Sequence, residues 1–185
     1  MTRRHLALLT LAVAACTPAR SDPYAVTEPA HAGARTGCAD DLRAGTAAVR
    51  AALERQYGRN RSAFLAENLD SVMALRSQGF STVGPDGRRS DRAQMAEYTL
   101  GLFNGITRWI GLSFAIERLT LEGNLARAQV SQHLERMALR ADQQVHHVET
   151  WARQRETWIC EGGEWKLHYV DQVRDQRRMV DSVPG

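Results

Sequence analysis

The chain predicts an α+β domain, and three observations carry the prediction. Apolar residues recur at helical spacing through the first half, they switch to period-two alternation after Phe114, and Gly-rich turns separate the later segments. Helices followed by long antiparallel strands bury their apolar faces best as a curved sheet wrapped around a helix, here three helices on an antiparallel sheet.

From Asp40 to Ala66, Val49, Leu53 and Tyr57 repeat every four residues, with Ala48, Ala52, Ala63 and Phe64 beside them, which describes one helix face. Asn68 suits an N-cap, opening a second, shorter helix that buries Leu69, Val72, Met73 and Leu75. Phe80–Val83 reads as a short strand, and Gly84-Pro85-Asp86-Gly87 as a turn. Ser90 or Asp91 caps a third helix carrying Met95, Thr99, Leu102 and Phe103 at helical spacing.

The strands follow. Phe114 and Ile116 alternate, then Leu119 and Leu121, and the change of phase between the pairs predicts a bulge. Glu122-Gly123-Asn124 is a hairpin turn. Ala126, Ala128, Val130, Gln132 and Leu134 share one face of the next strand. His147–Cys160 forms another strand with Val148, Ala152 and Trp158 on one side. After Gly162-Gly163, strict alternation places Trp165, Leu167, Tyr169 and Asp171 on one face of the last strand.

The N-terminal segment has a different character. Arg3 and Arg4 precede an uncharged apolar run, Leu6–Ala15, which is much shorter than the roughly 20 residues that a bilayer-spanning helix needs and suits a secretion signal. Val13-Ala14-Ala15-Cys16 resembles the lipobox of bacterial lipoproteins. That resemblance implies cleavage after residue 15 and acylation of Cys16, so that the bilayer is one partner. Thr17 after the cysteine, in place of Asp, points to the outer membrane and a domain facing the periplasm. The alternative is an ordinary signal peptide with a chance cysteine. Residues 16–37, with Pro18, Pro23 and Pro29 among small residues, read as a flexible tether. Residues 38–185 are then the folded domain.

Composition narrows the partners. Apolar residues make up 43%, enough for one core. The net charge is +3, and removing Arg3 and Arg4 with the leader leaves the mature chain nearly neutral. Of 24 basic residues only Lys166 is lysine, and the arginines are interspersed among 21 acids, so nucleic-acid binding is not expected. Two of the three cysteines lie in the domain. In an oxidising compartment Cys38 and Cys160 either bridge, closing a loop of roughly 120 residues worth about 4–5 kcal/mol, or stay separate thiols.

Three stretches resemble the nuclear transport factor 2-like (SnoaL-like, cystatin-like roll) superfamily over residues 47–173. They are Asn68-Leu69-Asp70-Ser71-Val72-Met73-Ala74-Leu75, the segment from Phe80 to Asp91 with its Gly-Pro-Asp-Gly-Arg, and Glu156-Thr157-Trp158 with Gly163-Glu164-Trp165-Lys166-Leu167-His168. The resemblance implies a cone-shaped roll with a pocket at its wide end, and a family of isomerases, cyclases, dehydratases and assembly domains, so fold alone does not decide function. Steroid isomerases of this superfamily place a base Asp just after the first strand. Here that position falls near Gly84, which cannot take a proton, and Asp86 two residues on belongs to a turn.

What remains for catalysis is Asp171 as base with Tyr169 as donor, if their strand face lines the pocket and apolar neighbours raise the carboxyl pKa. The alternative is an Asp at a strand end paired with an arginine such as Arg174. The pocket candidates are Trp165, Trp158, Phe103, Gln132 and Tyr57, suited to a small apolar or oxygen-rich ligand. Inward-facing Arg136, Arg153 or Arg155 would suit an anion, whereas outward they form a solvated face. No metal or other cofactor is expected. Adjacent His146 and His147 point apart in a strand, and His133 and His168 stand isolated in the pattern. The leading expectation is an envelope lipoprotein with a non-catalytic ligand-binding or protein-interaction domain. An acid/base enzyme is the alternative, and a homodimer formed through the sheet is a third reading.

Overall fold

The structure is a computed structural model and describes residues 37–184. The expectations for the leader, for Cys16 and for most of the tether lie outside the described residues. Among the described residues no helix is long and apolar enough to cross a membrane.

Four helices precede or interrupt the sheet: α1 (Cys38–Ala44), α2 (Thr46–Leu65), α3 (Leu69–Ala74) and α4 (Arg92–Gly105). The first predicted helix is therefore two, because Gly45 takes φ 92° and stops the ladder, a conformation open to glycine and strained for other residues. The caps act as the sequence predicts. Asn68 accepts a hydrogen bond from the Ser71 amide, and Asp91 forms a reciprocal capping box with Gln94.

Seven strands form one curved, open sheet: β1 (Arg76–Val83), β2 (Arg89–Asp91), β3 (Ile106–Glu122), β4 (Leu125–Leu139), β5 (Val145–Glu161), β6 (Glu164–Val180) and β7 (Val183–Pro184). The order is β2-β1-β6-β5-β4-β3, with β7 on the end of β6. The sheet is mixed and not wholly antiparallel. β1 runs parallel to β6, because the chain returns to it only after α4 and the β3–β4–β5 meander. The predicted bulge in β3 lies between Ile116 and Arg118.

The core sits between α2 and the concave face. Val49, Leu53 and Tyr57 pack on Leu119, Ala126, Ala128, Val130, Trp158 and Trp165. Small alanines at 126 and 128 let the helix approach the sheet, and each fully buried Val or Leu contributes about 1.5–3 kcal/mol. A second cluster of Ala63, Val72 and Phe103, with Phe64, Leu69 and Trp109, holds α2, α3 and α4 together. The Cys38–Cys160 disulfide, with Cα atoms 5.5 Å apart, ties the start of α1 to the end of β5. Beside it the Trp165 indole donates to Asp41 Oδ2 across 3.0 Å.

β6 also departs from strict alternation. Trp158 pairs with Leu167 but Thr157 pairs with Tyr169, so His168 is an extra residue on β6. Two further shifts follow, one at Gln172 (φ 49°) and one before Arg177. Each adds one residue and flips the phase. The inward residues of β6 are therefore Trp165 and Leu167, then Val170, Val173, Gln176 and Arg178.

Candidate functional site

Between α2, α4 and the concave face lies a cavity of about 290 Å³. Phe80, Phe114, Leu112, Leu134 and Met95 supply apolar walls, and of the pocket candidates Tyr57, Gln132 and Trp158 line it. Phe103 and Trp165 do not line it. Phe103 turns into the helix cluster, edge-on to Phe64 at 5.6 Å, and Trp165 is consumed by the core and by Asp41.

Asp171 and Tyr169 do not line it either, which corrects the expectation of a shared pocket face. The extra residue at His168 turns them to the opposite side of the sheet. There Asp171 accepts two hydrogen bonds from Arg155, at 2.8 and 2.5 Å, and Tyr169 borders a surface hollow with Arg127 and Arg155. The partner of Asp171 is Arg155, across the ladder, and not Arg174. Arg153 and Arg155 face outward with it, whereas Arg136 faces inward.

The buried end of the cavity holds a carboxyl that the sequence reading passed over. Glu156, 2% exposed, lies on the Val148–Ala152–Trp158 face of β5. Its Oε2 accepts from the Tyr57 hydroxyl at 2.5 Å and the Trp158 indole at 3.0 Å, and its Oε1 accepts from the Gln154 amide at 2.7 Å. Burial raises its pKa above the ordinary value of 4.5, against the opposing pull of these three donors and of the Arg76 guanidinium. Tyr57 is raised well above 10, first by burial and then by the adjacent carboxylate. Arg76 donates to the Val72 carbonyl at 2.7 Å, and burial draws its pKa down to about 10, so it stays charged at neutral pH.

The outer end is basic. Arg136, 9% exposed, reaches Thr150 Oγ1 at 3.4 Å, and Thr150 pairs in register with Arg178. Burial lowers the Arg136 pKa, and the Arg178 charge lowers it further. Neither guanidinium has a carboxylate partner among the described residues, and the buried Arg136 Nε has no hydrogen bond. The solvent-facing Arg178 and Tyr98, the latter 66% exposed, mark the rim. The cavity thus runs from a satisfied Glu156–Tyr57–Trp158 floor, past apolar walls, to two unneutralised cations.

No family model and no curated protein sequence matches the chain. Solved structures do. A conserved protein from Planctomyces limnophilus is 14% identical with a TM-score of 0.58, covering 76% of this chain and all of that one. A nuclear transport factor 2-like protein from Cytophaga hutchinsonii is 11% identical with a TM-score of 0.54, covering 66% and 94%. A hexachlorocyclohexane dehydrochlorinase (LinA type 2) is 10% identical with a TM-score of 0.59, covering 76% and 93%. At these identities the likeness is one of fold. The fold is the α+β cone of the nuclear transport factor 2-like proteins, and the neighbours that share it include enzymes as well as proteins of unknown function.

Proposed function

We propose that this chain is an envelope lipoprotein whose nuclear transport factor 2-like domain binds a small amphiphilic anion. The observation that carries the ligand class is the Arg136–Arg178 pair. Two cations side by side without a counter-charge repel each other, and an anionic group between them would relieve that repulsion while the apolar walls take the rest of the molecule. The open cavity favours a small ligand over a protein partner as its occupant. Export is supported by the lipobox pattern at Cys16 and by the Cys38–Cys160 disulfide, a bond that suits an oxidising compartment.

Two dyes test the ligand class. 1-Anilinonaphthalene-8-sulfonate carries a sulfonate, and N-phenyl-1-naphthylamine has the same rings without it. The sulfonate is expected to bind at least tenfold more tightly, and Arg136→Gln and Arg178→Gln to erase that preference while near-ultraviolet circular dichroism stays native. Equal affinity for the two dyes overturns the anion reading. Acylation is tested by palmitate labelling in bacteria, with the label expected on the wild-type chain and absent from Cys16→Ala.

A second reading has one observation in its favour. The buried, pKa-raised Glu156 with its Tyr57 donor is the kind of group that serves acid/base chemistry, and the dehydrochlorinase shares this fold. Its test is turnover of a bound ligand by the wild-type chain and not by Glu156→Gln.

A further inference from the structure

We propose that the outer face of the β4–β5 ladder is a divalent transition-metal site, with Glu135, His147 and Glu149 as ligands and His133 as a positioning residue. It lies on the side of the sheet away from the cavity, and it does not rest on the ligand-binding reading.

The register builds it. Glu135 and Glu149 are directly opposed across the antiparallel pair, where like charges destabilise. Neither has an arginine or lysine partner among the described residues, and the side chains that meet them are those of His133 and His147. On the β3 side Glu135 faces Gly111, and on the β6 side Glu149 faces Met179, so neither flanking strand neutralises the pair. Arg177 lies close by on β6, but it stacks on Trp151 at 4.2 Å.

His147 reaches both carboxylates. Its Nε2 is 2.8 Å from Glu135 Oε1, and its Nδ1 is 3.9 Å from Glu149 Oε1. One ligand atom from each of the three residues fits within a 4.8 Å spread. Donors around a tetrahedral zinc with bonds near 2.0–2.1 Å stand about 3.3 Å apart, so small side-chain rotations close the set. His133 Nε2 lies 3.2 Å from Glu149 Oε2, the other oxygen of that carboxylate, and its ring stacks on Trp151 at 4.7 Å. That contact holds the second oxygen of Glu149 and so fixes the direction in which its first oxygen points.

All four side chains are between 23% and 32% exposed, open enough for an ion to enter and for water to complete its coordination. One imidazole and two carboxylates suit zinc and the neighbouring first-row divalent ions better than they suit magnesium or calcium, which take oxygen ligands alone. His146 and His147 do point apart, as the sequence predicts. His147, however, meets Glu135 across the ladder, and His133 meets Glu149 the same way, because strand pairing supplies what spacing along the chain does not show.

Chelator-washed full-length protein titrated with zinc chloride at pH 7.5 is expected to take up one equivalent, seen by calorimetry and as one added zinc in native mass spectrometry. Glu149→Gln, Glu135→Gln and His147→Gln are each expected to weaken binding at least tenfold, His133→Gln about tenfold, and His146→Gln not at all. These substitutions at half-buried positions on the outer face should leave the circular dichroism spectrum native, and if one does not, the other two ligand variants decide. No uptake up to 100-fold excess zinc, or uptake lost with His146→Gln and kept by the ligand variants, overturns the site.

Discussion

The Tyr57 hydroxyl donates to Glu156 Oε2 across 2.5 Å, joining α2 to β5 over a sequence separation of 99 residues. The same oxygen accepts from the Trp158 indole, so one carboxylate atom gathers a helix and its own strand at the floor of the cavity. Removing the hydroxyl with Tyr57→Phe takes one donor from a fully buried acceptor. It should cost about 1–3 kcal/mol of stability, read by urea denaturation.

Glu156 also makes stability depend on pH. Its pKa is raised in the folded state, so the native chain binds more protons than the unfolded chain between the two values. Its contribution is fully present below about pH 4.5 and is lost as pH rises through the folded value. Glu156→Gln abolishes that dependence. The stability of Glu156→Gln relative to wild type should therefore increase from pH 4.5 upward and then level off, as measured by denaturation at a series of pH values.

The disulfide spans a sequence separation of 122 residues. In the chain-entropy model, opening a loop of this length costs about 4–5 kcal/mol. The double variant Cys38→Ala/Cys160→Ala should lose stability of that order in guanidinium unfolding, and a reductant should shift the wild-type midpoint while leaving the variant unmoved.

Trp165 donates its indole N–H to Asp41, whose side chain is buried under α1. Trp165→Phe keeps most of the ring volume but strands the acceptor, and is expected to destabilise by about 1–3 kcal/mol in the same assay. Dye binding in the cavity should be unchanged, because Trp165 lies outside it.

Asp171 supplies a contrasting case. Its pair with Arg155 lies on the solvent side, and a partly exposed ion pair contributes about 0–1 kcal/mol. Asp171→Asn should change stability within that range and leave sulfonate-dye affinity at the wild-type value.

Much of the fold was legible because short-range chemistry decides it. Asn68 and Asp91 cap their helices, Gly123 makes its hairpin, and the Val49–Leu53–Tyr57 stripe finds the sheet. Alternation also held along β4, where Gln132 and Leu134 share one face and both line the cavity. It failed on β6, whose extra residues at His168 and Gln172 leave no mark that a single sequence displays, since neither is glycine. The inward assignments of Tyr169 and Asp171 therefore flipped, the second shift returned Val173 to the inner face, and the third, before Arg177, turned the strand once more. Arg178 reached the pocket rim, and Asp171 left the pocket. Glu156 is a different case. Its parity with Val148, Ala152 and Trp158 was readable, and a charge at a core position of a strand is itself a signal. The Glu135–His147–Glu149 cluster was not legible, because it depends on which residues of β4 and β5 are opposed.

Cys38 is the first residue of a seven-residue helix, and it is bonded to the sheet through Cys160. A pull on the segment that precedes it meets a covalent junction and does not unwind α1 one turn at a time. The load passes into β5, which is laddered to β4 on one side and β6 on the other, and is shared along both rows of hydrogen bonds. Tugging from the N-terminal side is thus delivered to a strand in the interior of the sheet.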